Sequence, residues 1–157
     1  MWKKKAYFFY LLIVLFFLSS FQSMGQSHLQ TVRLRLVNEI LESSVNHAEV
    51  NKLLQNQQED GSWPGIDYQD VSRTGFEHSQ HLDNMQVLSR AFRKPGSALY
   101  QDDRLQQTIL LALDFWLKHD FICDNWWWNQ IGTPRMLVEV LLLMDDELSE
   151  KQAKQGA

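Results

Sequence analysis

The stretch Met136 to Met144, MLVEVLLLM, constrains this chain more than any other. Read as a helix it is apolar on almost every side, and such a helix is buried all round rather than laid on a surface. Helical spacing extends through most of what precedes it. Leu29, Val32, Leu36, Val37, Ile40 and Leu41 recur at three- and four-residue intervals, and Val50, Leu53 and Leu54 continue that pattern or restart it after Ser43-Ser44. Leu82, Met85, Leu88, Ala91 and Phe92 mark a further helix that stops near Pro95-Gly96. Leu105, Ile109, Ala112, Leu113 and Trp116 mark another, with Asp102 or Asp103 as its N-cap. Thr133, followed by Pro134, reads as the N-cap of the last apolar helix. No window alternates apolar and polar between hairpin turns, so the expected class is all-α, built from antiparallel helical hairpins. Four helices barely supply neighbours for one that is buried all round. The expectation is therefore that partner helices are missing, either from a larger domain or from self-association.

Between these helices lie two irregular segments. Asp60-Gly61-Ser62-Trp63-Pro64-Gly65 is dense in turn residues, and residues 66–77 form a long polar loop of the kind that often carries function. His78 and His81 stand one helical turn apart near Asp83, but without a third well-spaced ligand they read as core-facing or solvated histidines, and no metal or cofactor is expected. Asp145-Asp146-Glu147 reads as a solvated helix boundary and Lys118-His119-Asp120 as a helix C-terminus.

The N-terminus reads as an address. Lys3, Lys4 and Lys5 precede an uncharged run of 13 residues, Ala6 to Leu18, and small residues follow up to Gly25. That is the layout of a secretory signal peptide over residues 1–25, with cleavage between Gly25 and Gln26. The run is shorter than the ~20 apolar residues a spanning helix needs, so the membrane is expected to matter only during export to the periplasm or medium. An uncleaved anchor is the competing reading. Residues 26–157 then form the working domain.

The whole chain has 157 residues and a formal charge of −4; residues 1–25 hold three lysines and no acids, so without them the charge is −7. That balance argues against a nucleic-acid partner, whose phosphates call for net positive charge. A single cysteine, Cys123, excludes an internal disulfide and a Cys-based zinc site, and it reads as a small buried side chain.

The informative segment is Asp124-Asn125-Trp126-Trp127-Trp128-Asn129-Gln130. Three consecutive tryptophans cannot all point inward from a helix or a strand, because neighbouring side chains diverge. At least one is expected on the surface or in a cleft, where a large apolar ring calls for a partner. Flat aromatic faces suit sugar rings, and the flanking amides Asn125, Asn129 and Gln130 suit hydroxyls or carboxylates. Arg135, in the first turn of the following helix, adds a charge with planar donors matched to carboxylate. Trp126, Trp127 and Trp128 with Asn125 and Arg135 thus describe a binder of acidic sugars. Core packing between helices is the competing reading for any one of the indoles.

Asn125-Trp126-Trp127, followed by Ile131-Gly132-Thr133-Pro134-Arg135 at the start of an apolar helix, resembles the aromatic-patch region of polysaccharide lyase family 8. The Asp60-Gly61-Ser62-Trp63 turn is similar to one near the start of those enzymes, and the order of elements agrees over most of residues 29–145. The resemblance implies the first part of an incomplete (α/α) toroid that holds an acidic polysaccharide, hyaluronan or chondroitin in type, in a long cleft. It also implies that Trp126 and Trp127 stack on sugar rings and Asn125 contacts substrate, with the role of Trp128 open.

The family's chemistry is β-elimination at a uronic acid, with a tyrosine taking the C5 proton aided by Asn, His and Arg. Those groups are expected on later helices. Tyr68 and Tyr100 do not sit in matching contexts, so no catalytic residue is assigned and this chain alone is expected to be inactive. The runner-up reading is a non-catalytic carbohydrate-binding or helical interaction module. A helical glycoside hydrolase would need a recognisable acid pair, which is not found.

Overall fold

A computed structural model describes residues 28–156. The expected signal peptide lies outside the described residues. Two compact units divide at Asn38/Glu39. In the first, residues 28–38 are helical throughout and expose Leu29, Val32, Leu34 and Leu36. They are the beginning of α1, which spans residues 28–42.

The second unit carries α2 (His47–Asn56), α3 (Ser79–Arg93), α4 (Asp103–His119), α5 (Thr133–Met144) and α6 (Glu150–Gly156), and no strand occurs among the described residues. Each start and stop has a chemical cause. Asn46 caps α2 through its side-chain oxygen, which accepts from the N–H groups of Ala48 and Glu49. Asp102 caps α4 by accepting from Leu105 N–H, and Asp120 ends it in the left-handed conformation.

Long-range hydrogen bonds give the helix directions. The ring of His81 pairs with the Ala112 carbonyl, and Gln101 N–H donates to the Phe92 carbonyl, so α4 runs antiparallel to α3. Gln86 reaches the Met136 carbonyl and Arg93 pairs with Asp146 just beyond α5, so α5 runs parallel to α3. Gln152 donates to Asp114, which seats α6 beside α4. Within the second unit α3, α4 and α5 therefore alternate in direction, with α3 and α5 side by side and α4 and α6 beside one another. This is the arrangement of helical hairpins expected for an α/α toroid.

The core is a single cluster in which Leu82, Met85, Leu88 and Phe92 of α3 meet Leu105, Ile109, Leu113 and Trp116 of α4 and Val140 and Met144 of α5. Cys123 is buried at its edge. One expectation fails in part. Among the described residues α5 is not covered all round: Val140, Leu143 and Met144 are buried and Met136, Leu137 and Leu141 partly so, while Val138 is exposed.

Candidate sugar-binding platform

The start of α3 and of α5, the end of α2 and of α4, and the loops 57–78 and 120–132 all fall at one end of the second unit. The tryptophans lie there, and their local structure differs from expectation. Thr133 is not a cap. It is already helical, with φ −59° and ψ −52°, and its N–H donates to the Trp128 carbonyl. The helical run begins at Trp126, passes through a π-helical turn (Trp128–Gly132) and continues as α5. Asn125 supplies the cap, since its Oδ1 accepts from Trp127 N–H at 3.1 Å. The positive end of the helix dipole therefore lies at the indoles, eight residues earlier than the Thr-Pro pair implies.

The three indoles separate as side-chain divergence requires. Trp126 and Trp127 are 58% and 42% exposed, whereas Trp128 is half-buried against the core. Trp128 packs on Phe76 with ring centres 5.3 Å apart and meets Trp127 edge-on at 4.9 Å. Asn129 points inward and clamps Cys123: its Oδ1 accepts from Cys123 N–H at 3.1 Å, and its Nδ2 donates to the Cys123 carbonyl at 2.8 Å. Asn125 is also engaged, its Nδ2 donating to the Arg73 carbonyl at 2.9 Å.

Arg135 is 80% exposed and stands 3.9 Å from Glu139, a carboxylate held in turn by Gln86 from α3. The Asn125 bond also brings Arg73 to this end of the molecule, an exposed cation that sequence reading did not single out. Its only signal was the length of the 66–77 loop. Nearby, a groove of about 520 Å³ opens between the end of α4 and the start of α5, lined by Leu117, Phe121, Ile122, Thr133, Leu137 and Val138. None of the three tryptophans lines it. The indoles form an open platform rather than a pocket.

Behind the platform lies a buried polar chain. Trp63 N–H donates to the Tyr68 hydroxyl at 3.1 Å. The hydroxyl lies 2.9 Å from His81 Nδ1, and His81 Nε2 lies 3.0 Å from the Ala112 carbonyl. Because a carbonyl only accepts, His81 carries its proton on Nε2, and Tyr68 therefore donates to Nδ1. Burial pushes His81 down to about 4 and Tyr68 up to about 12, so both are neutral across the physiological range. His78 is buried alongside, its Nε2 on the Tyr68 carbonyl. The two histidines are thus core groups. Among the described residues no cluster of three His, Cys, Asp or Glu side chains has the geometry to hold a metal.

Residues 21–157 match polysaccharide lyase family 8, N terminal alpha-helical domain, and the chain belongs to that family. It is 36% identical over 93 residues to chondroitinase-AC of Pedobacter heparinus, covering 59% of this chain and 13% of that protein. It is 39% identical over 74 residues to hyaluronate lyase HylB of Enterococcus faecalis, covering 43% of this chain and 7% of that one. A solved chondroitinase AC lyase, studied as enzyme–oligosaccharide complexes, superposes with a TM-score of 0.71 at 28% identity over 79% of this chain and 19% of its own. The chain thus spans less than a fifth of each of these relatives.

Proposed function

We propose that this chain is the substrate-binding portion of a polysaccharide lyase acting by β-elimination on uronic-acid polysaccharides of the chondroitin or hyaluronan type. Trp126 and Trp127 stack on sugar rings, and Arg135 answers the carboxylates. Asn125 faces substrate with whatever donor capacity its two structural bonds leave, and Trp128 supports the platform from behind. The observation that carries this reading is a pair of adjacent indoles left exposed at the loop end of the unit, with a helix N-terminus and two exposed arginines at the same end.

Binding without cleavage is the reading for these 157 residues. Of the described tyrosines, Tyr68 has its hydroxyl engaged on both sides and its ionisation suppressed, which unfits it as a base for a C5 proton. Export after cleavage between Gly25 and Gln26 completes the proposal, and N-terminal sequencing of the secreted protein tests that part.

The binding experiment is calorimetric titration of a chondroitin tetrasaccharide. Trp126→Ala and Trp127→Ala are each expected to weaken binding by about 1–3 kcal/mol, by analogy with base stacking on aromatic side chains. Unchanged affinity in both variants removes the platform reading. Unsaturated uronate absorbance from the purified chain refutes binding without cleavage.

A further inference from the structure

The 66–77 loop is joined to the tryptophan turn by two separate routes. One is polar: Asp124 N–H donates to the Val71 carbonyl at 2.9 Å, and Asn125 donates to the Arg73 carbonyl while capping Trp127. The other is aromatic, running from Phe76 to Trp128 to Trp127. Both routes depend on how the loop is closed, and one carboxylate closes it. Asp70 Oδ1 accepts from Ser72 N–H at 2.9 Å, and Oδ2 accepts from Phe76 N–H at 2.6 Å and Glu77 N–H at 3.3 Å.

Two residues bear the imprint of that closure. Phe76 has φ 79°, a conformation that a bulky side chain adopts only where its surroundings hold it. Its ring is nonetheless fully buried, between His78 and Trp128. Gly75 lies against the same closure, since a Cβ there would press on Asp70 Oδ2 and Ser72 Oγ and displace them. A surface turn with no further duty would not call for a phenylalanine in a left-handed conformation.

We propose that Asp70 is a positioning residue for the sugar platform. By closing the 66–77 loop it fixes the Phe76 ring behind Trp128 and the Arg73 carbonyl against Asn125, and so sets the angle at which Trp127 meets a sugar ring. Its consequence for affinity rests on the proposed sugar-binding role. Its consequence for ring geometry does not.

The test uses the full chain and three substitutions. Asp70→Ala removes the closure and Asp70→Asn weakens it. Asp67→Asn, in the same loop, removes a charge that bonds only Gln69 N–H through its side chain. Two readouts are taken: the circular-dichroism exciton signal of the Trp127–Trp128 pair, and the affinity for a chondroitin tetrasaccharide. Asp70→Ala is expected to lose most of the exciton signal and to weaken binding about tenfold, with Asp70→Asn intermediate and Asp67→Asn unchanged. Combining Asp70→Ala with Trp127→Ala should weaken binding no further than Trp127→Ala alone.

Should Asp70→Ala lose its helical signal, Asp70→Asn carries the same two readouts. Affinity that stays at the wild-type value in the Asp70 variants, while Trp127→Ala lowers it, overturns the positioning role and leaves the platform intact. An unchanged exciton signal overturns it as well. Affinity that Trp127→Ala itself leaves unchanged overturns the positioning role, and the platform falls with it when Trp126→Ala leaves affinity unchanged as well.

Discussion

A Cβ placed on Gly132 would stand 2.6 Å from Cζ3 of the Trp127 ring, and 2.5 Å from Cε3 of Trp128. Gly132 has ordinary helical angles, φ −62° and ψ −58°, so its lack of a side chain serves space rather than backbone freedom. Both indoles lie down on the π-helical turn because nothing projects from it there. Gly132→Ala is expected to force the rings apart and cost about 1–3 kcal/mol by overpacking. Denaturant unfolding measures the loss, and a red shift of tryptophan emission reports the displaced rings. Wild-type stability in this variant would mean that the indoles slide aside freely.

The three tryptophans should separate by experiment as they do in space. Trp128 packs on Phe76 and the core but is only half-buried, so Trp128→Ala is expected to lower unfolding free energy by about 2–4 kcal/mol, somewhat less than the loss of a fully buried aromatic. Trp126 is the most exposed of the three, and Trp126→Ala should stay within about 0.5 kcal/mol of wild type. Equal losses at both positions would contradict the division between platform and support.

Stability should depend on pH with a sign set by the buried chain. His81 is held down to about 4 from 6.5, mainly by burial, so the unfolded chain binds the proton more readily. Stability from this group is complete above pH 6.5 and is lost as pH falls from there toward 4, at up to about 1.4 kcal/mol per unit. Tyr68 is raised to about 12 from 10, again mainly by burial, so its contribution is complete below pH 10 and is lost as pH rises toward 12. Unfolding curves across pH 4 to 7 should show the acid slope, and His81→Gln should flatten it. A slope that persists in that variant assigns it elsewhere. Asp70, held below the usual carboxylate range chiefly by its bonds to Ser72, should keep its loop closed until the pH is well below the ordinary range of an aspartate.

Helix positions were legible because they rest on local periodicity: Leu82, Met85, Leu88 and Phe92 are all buried as their spacing requires, and Asp102 caps α4 as its place before Leu105 implies. The start of the last helix was misplaced because Thr-Pro is a strong local signal. The actual cap, Asn125, lies eight residues before Thr133, and the π-helical turn between them is one that no periodicity announces. Divergence of adjacent side chains correctly required an exposed indole but could not say which one, because Trp128 is chosen by Phe76, 52 positions earlier in the chain. The Tyr68–His81 bond and the Asn125–Arg73 bond are likewise consequences of packing, and Asp70 carried no sequence signal beyond membership of a long loop.

Asn129 makes a second, independent prediction about the same turn. Its amide satisfies both backbone groups of Cys123, whose side chain is buried at the core's edge. Asn129→Ala leaves that N–H and carbonyl without partners, at a cost of about 1–3 kcal/mol, and loosens the 120–125 segment. Cys123 should then react with a thiol reagent several-fold faster than in the wild type, whereas Asn125→Ala should change Cys123 reactivity less. Equal protection in Asn129→Ala would show that the core alone covers the thiol.

Salt should reveal how an acidic chain holds an acidic sugar. The chain carries −4 overall, and −7 without residues 1–25, so a polyanion is repelled at long range. That repulsion is screened beyond about 10 Å at 0.1 M salt, whereas contacts within a few ångströms are screened far less. Arg135 is exposed, and its pairing with Glu139 at 3.9 Å is too weak to cancel its charge. Above about 0.1 M, the local attraction therefore sets the trend, and affinity for a chondroitin tetrasaccharide should fall by a few-fold as salt is raised toward about 0.5 M. Arg135→Gln should lower affinity and flatten that dependence. Loss of affinity with the salt dependence intact would mean that Arg135 packs against the sugar without meeting its carboxylate.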